Sequence, residues 1–167
     1  RARLQARFGD GGPGFVYVSP PSRWYHHRGV QVEARGFNTH TIVHEERPDA
    51  RLGYGGAIFE TRVGAATATF TLHARPNARR PTRWSAVYLR QPRGGEFETQ
   101  LDGGSPEIVR TPNDVIEAAT HTRSAPDGAS SLTVRIHARE TPAPVRLFGV
   151  VIEREDTGVV VDNLGLV

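Results

Sequence analysis

Hydrophobic and polar residues alternate with period two through most of this chain. Leu132, Val134 and Ile136 interleave with Thr133, Arg135 and His137. Ala68, Phe70 and Leu72 interleave with Thr69, Thr71 and His73, and Phe97, Thr99 and Leu101 with Glu96, Glu98 and Gln100. Successive side chains of an extended chain face opposite ways, so each run predicts a strand with one buried and one wet face. Further strands are predicted at Phe15–Val18, Val30–Ala34, Thr39–His44, Ala57–Thr61, Ser85–Arg90, Val115–Thr122 and Val145–Glu153. Turn-forming clusters separate them: Pro20-Pro21, Arg47-Pro48-Asp49, Pro76-Asn77, Pro92-Arg93-Gly94-Gly95, Asp102-Gly103-Gly104 and Pro126-Asp127-Gly128. About ten short strands at this spacing predict an all-β antiparallel β-sandwich of jelly-roll type.

The helical signal is confined to the start. In Arg1-Ala2-Arg3-Leu4-Gln5-Ala6-Arg7-Phe8, Leu4 and Phe8 fall on one helix face and Gly9 stands at the C-cap position. The closing run Val159-Val160-Val161-Asp162-Asn163-Leu164-Gly165 predicts a strand leading into a glycine turn. Together with the absence of methionine, both ends read as cut from a larger protein. The expected division is 1–14 as helix end and connector of a neighbouring domain, 15–158 as the sandwich, and 159–167 as a return strand.

Composition narrows the picture. A chain of 167 residues fits one domain with a sizeable core, and its 18 glycines and 12 prolines favour turns over long helices. With no cysteine there is no disulfide framework and no thiolate metal site. All 21 basic residues are arginine, which reads as codon bias. They alternate with acids, so the net charge of +3 supplies no basic stripe for nucleic acid. No apolar stretch approaches membrane-spanning length.

Candidate chemistry is sparse. Gly9-Asp10-Gly11-Gly12-Pro13-Gly14 lacks the Lys-Ser/Thr of a phosphate loop and lies after a helix, so it reads as a flexible connector. His26-His27 and the pair His40, His44 match no strong zinc spacing, so no metal and no cofactor is expected. No serine sits in a nucleophile elbow. Trp84 reads as core or edge packing. Trp24-Tyr25-His26-His27, in a loop flanked by proline and arginine, has a different character. Sugar faces stack on aromatic rings while their hydroxyls seek polar partners, so Trp24, Tyr25 and His26 are the candidate substrate-binding residues. The alternative for Trp24 is that it anchors the loop on the core.

The segment Leu4-Gln5-Ala6-Arg7-Phe8-Gly9-Asp10-Gly11-Gly12-Pro13-Gly14-Phe15-Val16 resembles the stretch after the nucleophile motif in bacterial SGNH (GDSL-like) hydrolases. Phe148-Gly149-Val150-Val151-Ile152-Glu153-Arg154 and Gly158–Gly165 resemble the return from an inserted β-sandwich into that family's second block. The arrangement is similar to that of peptidoglycan O-acetylesterases with a carbohydrate-module-like insert. The resemblance implies a parent with Ser-His-Asp acyl-ester chemistry, in the cell envelope, periplasmic or secreted. This chain would contribute a non-catalytic module that binds or orients an acylated carbohydrate polymer and packs on the rest of the parent hydrolase. Gly11 stands where the nucleophile would be and cannot act, and Asn163 and Gly165 are weak candidates for the oxyanion-hole block. The alternatives left open are a free-standing carbohydrate-binding or adhesion module, and a purely structural sandwich.

Overall fold

A computed structural model describes residues 2–23, 25–43, 49, 51–53, 55–74 and 79–162. One short helix, α1 (Ala2–Phe8), precedes eleven strands. These are β1 (Gly14–Val16), β2 (Val30–Arg35), β3 (Asn38–Thr41), β4 (Ala57–Thr61), β5 (Ala66–Leu72) and β6 (Arg83–Arg90). They continue with β7 (Glu96–Leu101), β8 (Glu107–Arg110), β9 (Glu117–Ser124), β10 (Ser131–Ile136) and β11 (Val145–Glu153). One sheet runs β3-β4-β11-β6-β9, with β1 also paired to β11; the other runs β2-β5-β10-β7-β8. Every strand pairing within the two sheets is antiparallel, as expected for the jelly-roll sandwich.

The period-two runs land in register. Ala66, Ala68 and Phe70 of β5 face Ile136, Val134 and Leu132 of β10, and all point into the core. Phe97 and Thr99 of β7 join them, while Thr67, Thr69, Thr71, Thr133, Glu98 and Gln100 form the outer face. From the opposite sheet, Phe59, Trp84, Tyr88, Leu147, Val150 and Ile152 close the core. Trp84 is fully buried, as its strand position suggests. β8 escapes the sequence pattern. Its Glu-Ile-Val-Arg is too short to show alternation, and Val109 is its single buried side chain.

β11 holds its sheet together. Along one side its first half pairs with β4 and its second half with β1; along the other it pairs with β6, where the register shifts at Leu147/Gly149. Gly149 sits at that junction because nothing larger fits. A Cβ there would lie 2.5 Å from the Phe15 ring and 2.6 Å from the Val16 carbonyl oxygen. Gly149→Ala is expected to cost about 1–3 kcal/mol, because backbone must move to admit the methyl. A urea titration that places the variant within about 0.5 kcal/mol of the parent protein would contradict this packing.

The outer face of the β11 sheet is partly covered, which explains why every residue of β4 is buried. Leu52, Ile58, Leu89 and Phe148 form a second apolar cluster there, and Gly53 lies directly on the Phe148 ring. Beside it Glu60 and Arg146, cross-strand partners on β4 and β11, are each only 4% exposed. One Glu60 oxygen accepts hydrogen bonds from Arg146 Nε and pairs with its Nη2, both at 3.1 Å.

The glycine-rich segment after α1 is not a loose connector. Gly9 closes the helix at φ +88° with its N–H on the Gln5 carbonyl. Gly11 and Gly12 are buried, and Gly11 N–H donates to Val159 O at 3.1 Å while Val159 N–H donates to Gly9 O at 3.0 Å. The Arg154 guanidinium pairs with Asp10 at 2.6 Å. Of the expected closing strand, residues 159–162 are described, and there Val159 forms an isolated parallel bridge with Asp10. Leu4 and Phe8 of α1 stay about half exposed, at 48% and 49%.

Candidate functional site

The hollow that gathers the candidate residues lies where the chain leaves β1 and returns to β2. Tyr17, the residue after β1, is buried and its hydroxyl donates to Gly55 O at 2.6 Å. Phe15 meets the Tyr17 ring edge-on, with centroids 5.1 Å apart. Tyr25 does the same from the loop, at 4.9 Å and 79°. Edge-to-face pairs of this kind fix ring orientation as well as burying area. Tyr25 is thereby held half-buried, packed on the core, with the remainder of the side chain turned into a cavity of about 330 Å³. That volume lies at the small end of ligand pockets.

Buried Tyr17 and Val30 line the hollow, with half-buried Tyr25, Val32 and His27 and exposed Pro20, His26, Gln31 and His73. His73 arrives from the end of β5, where its N–H donates to Gly29 O at 3.1 Å. His27 has a structural part. Gly29 N–H donates to its Nδ1 at 3.2 Å, which leaves Nε2 as the protonated nitrogen facing Pro13 O at 3.3 Å. Burial pushes the Tyr25 hydroxyl up to about 12; a backbone hydrogen bond from Tyr17 opposes the rise, and Tyr17 and Asp162 add to it. The phenol therefore stays a neutral donor and acceptor across the physiological range.

The sequence-predicted residues are thus partly brought together. Tyr25 and His26 share the hollow, and Trp24 lies outside the described residues. Asn163 and Gly165 also lie outside them. The sequence does not point to Gln31 and His73, which the β2–β5 register brings to the loop, nor to Tyr17, which follows β1 at the end of a buried run. The lining side chains are aromatic rings, imidazoles, an amide and aliphatic groups, with no carboxylate, serine or threonine among them, and they offer apolar contact and hydrogen bonding. Among the described residues no three metal-ligating side chains converge.

Two other polar places are less suited to a ligand. The outer face of the β10 sheet offers Thr67, Thr69, Thr71, Thr133 and Gln100, but no aromatic ring. Its groups already serve each other: Thr69 and Thr133 hydroxyls meet at 3.1 Å, and Arg135 and His137 pair with Glu98. At the opposite edge His121 of β9 is packed between the sheets. Its Nε2 lies 3.3 Å from Glu107, poorly aligned for a hydrogen bond, and Arg123 shares that carboxylate at 3.0 Å.

These two clusters set the acid response. Burial lowers the His121 pKa below the ordinary histidine value of 6.5, an effect that Glu107 opposes and Arg123 reinforces. Burial alone would raise the Glu98 pKa, but hydrogen bonds from His137 and Arg135 outweigh it and hold the carboxyl below its usual 4.5. In both cases the unfolded chain binds the proton more readily. Stability is therefore full above the unfolded pKa and falls as pH drops, through His121 from about 6.5 downward and through Glu98 from about 4.5 downward. Urea midpoints measured along a pH series should decline in that order, with the first step missing in His121→Gln. A midpoint that is flat from about pH 7 to about pH 5 would contradict the His121 assignment.

No family profile matches the sequence, and no curated protein does. Solved structures do share the fold. The K2 cleaved adhesin domain of Lys-gingipain aligns over 83% of this chain and 96% of its own length, with a TM-score of 0.50 and 8% identity. The C-terminal CBM6 of the LamC laminarinase from Zobellia galactanivorans aligns over 84% and 99%, at TM-score 0.48 and 11% identity. The family 11 carbohydrate-binding module from Clostridium thermocellum aligns over 86% and 96%, at 0.41 and 9%. The chain is an all-β, antiparallel, two-sheet sandwich of the jelly-roll kind.

Proposed function

We propose that this chain is a carbohydrate-binding module and that the Tyr25 hollow is where it holds its glycan. The observation that carries the reading is the combination at one loop: a ring held by Tyr17 with part of its surface in the hollow, beside His26, Gln31 and His73. Sugars present an apolar face for the ring and hydroxyls for the imidazoles and the amide. The size of the hollow suits one sugar unit at a time, with the polymer running past it.

The setting we favour is the one the sequence resemblance implies. The module would hold an acylated polysaccharide for an SGNH-type serine centre whose nucleophile belongs to other residues. The side-by-side course of 9–14 and 157–162 supports splicing of a sandwich into a host loop, since Asp10 bridges to Val159 and Phe15 N–H donates to Asp162 at 2.7 Å. Holding the ester near the serine raises its effective concentration. A free-standing binding or adhesion module would use the same hollow.

Affinity electrophoresis of the chain through gels containing peptidoglycan fragments, acetylated xylan, pectin and neutral glucan tests the binding claim. Retardation by at least one polymer is expected, together with no release of acetate. Unhindered migration through all of them would overturn it, and acetate release by this chain alone would overturn the non-catalytic assignment.

A further inference from the structure

We infer that the glycan held in the Tyr25 hollow carries a negative charge, a uronate carboxylate or a sulfate ester, placed against His26 and His73. The inference rests on the reading of the hollow as a sugar site and names the ligand class for it.

The lining is rich in groups that donate to an anion and holds no carboxylate of its own. It contains the imidazoles of His26, His27 and His73, the phenols of Tyr17 and Tyr25, and the Gln31 amide. Tyr17 and His27 are already committed, to Gly55 O and to Gly29 N and Pro13 O. His26 and His73 are exposed, and neither imidazole has a hydrogen-bond or ion-pair partner among the described residues. A protonated imidazole donates from both ring nitrogens, and two such groups at one small aromatic hollow gain most from a ligand that only accepts hydrogen bonds. A carboxylate or sulfate does that; a neutral sugar hydroxyl, which must also donate, gains less.

Arg23 and Arg28 lie in the same loop as His26. Against them stand Glu33, which accepts from the Gln31 amide at 2.9 Å, and Asp162, which accepts from Phe15 N–H. With its N–H on Glu33, Gln31 keeps its carbonyl oxygen for a sugar hydroxyl. Imidazole side chains gain their proton near neutral pH, whereas carboxylate and sulfate stay ionised well below it. Binding should therefore tighten on mild acidification, and the gain should belong to charged glycans alone.

Titration calorimetry of the whole chain tests this with three probes of equal length: an oligogalacturonate, a sulfated oligosaccharide and a neutral gluco-oligosaccharide. Each is measured at about pH 8 and about pH 6. Charged probes are expected to bind roughly three- to tenfold tighter at the lower pH, the range for two partly exposed ion pairs, with the neutral probe weaker and unchanged. The double variant His26→Gln, His73→Gln keeps polar side chains of similar reach and should lose the pH gain. Whichever anion binds tighter identifies the ligand's charged group. A neutral probe that binds as tightly as the charged ones at both pH values overturns this inference and leaves the sugar site standing. Absence of binding by all three probes overturns this inference, and together with unhindered migration in every gel of the screen it overturns the sugar site as well.

Discussion

Replacing Arg146 by methionine is expected to destabilise the protein by about 3–5 kcal/mol, the usual cost of stranding one half of a buried ion pair. Arg146 and Glu60 sit opposite each other on β11 and β4, and each is 4% exposed. In the intact protein the arginine also pairs with Asp49 at 2.8 Å, and Arg62 reaches the second Glu60 oxygen at 3.1 Å. Arg62 is largely exposed, so it returns only part of what Arg146 supplies. The partner variant sharpens the argument. Glu60→Leu combined with Arg146→Met removes both charges and extends the Leu52/Ile58/Leu89/Phe148 cluster, so most of the loss should be recovered. Urea titrations of the three proteins measure this. A single-variant loss below about 1 kcal/mol would mean that the pair is solvated, as surface pairs are.

Tyr25→Ala is expected to lower glycan affinity by roughly 10–100-fold, the scale on which aromatic anchors act in recognition sites. The ring provides the apolar surface, and its neighbour Tyr17 is tied down through its hydroxyl and cannot swing in to replace it. Tyr25→Phe keeps the ring and the edge-to-face contact, so it should retain most of the affinity and lose only what the hydroxyl adds, about 0.5–1.5 kcal/mol. The ordering Tyr > Phe ≫ Ala separates stacking from hydrogen bonding. Equal losses in Phe and Ala would assign the binding to the hydroxyl alone. Because Tyr25 also packs on the core, the Ala variant will be less stable. Affinities are therefore compared only where circular dichroism shows each variant folded.

The sandwich was legible because its strands bury one face only. Thr67, Thr69 and Thr71 against Ala66, Ala68 and Phe70 state the period directly. The end of α1 was legible for another reason, since Gly9 takes the left-handed φ that ends a helix while Leu4 and Phe8 stay about half exposed. β4 was predicted at its observed bounds, Ala57–Thr61, and only its burial on both sides escaped the pattern, because Leu52 and Gly53 cover its outer side and no local rule announces a cover that comes from a loop. The Glu60–Arg146 pair spans 86 residues and left no trace in the spacing. The buried course of Gly11 and Gly12 depends on Val159, which the glycine run itself does not reveal.

The candidate site was half legible. Tyr25 and His26 stood out as aromatic and polar side chains in a proline-bounded loop. His73 was visible only as an outward residue on its strand; the β2–β5 register, Val30 opposite Leu72, is what delivers it to the hollow. Tyr17 reads as the end of a buried run, and its service as the platform for Tyr25 requires the folded chain.

The location of the glycan is the central claim, and amide and side-chain chemical-shift mapping tests it most directly. The isotope-labelled chain is titrated with whichever glycan retards it in the gel screen. The account predicts that the largest shifts cluster on Tyr25, His26, Gln31 and His73, with Tyr17 following. Shifts centred instead on Thr69, Thr133 and Gln100 would place the ligand on the outer face of the β10 sheet and contradict it.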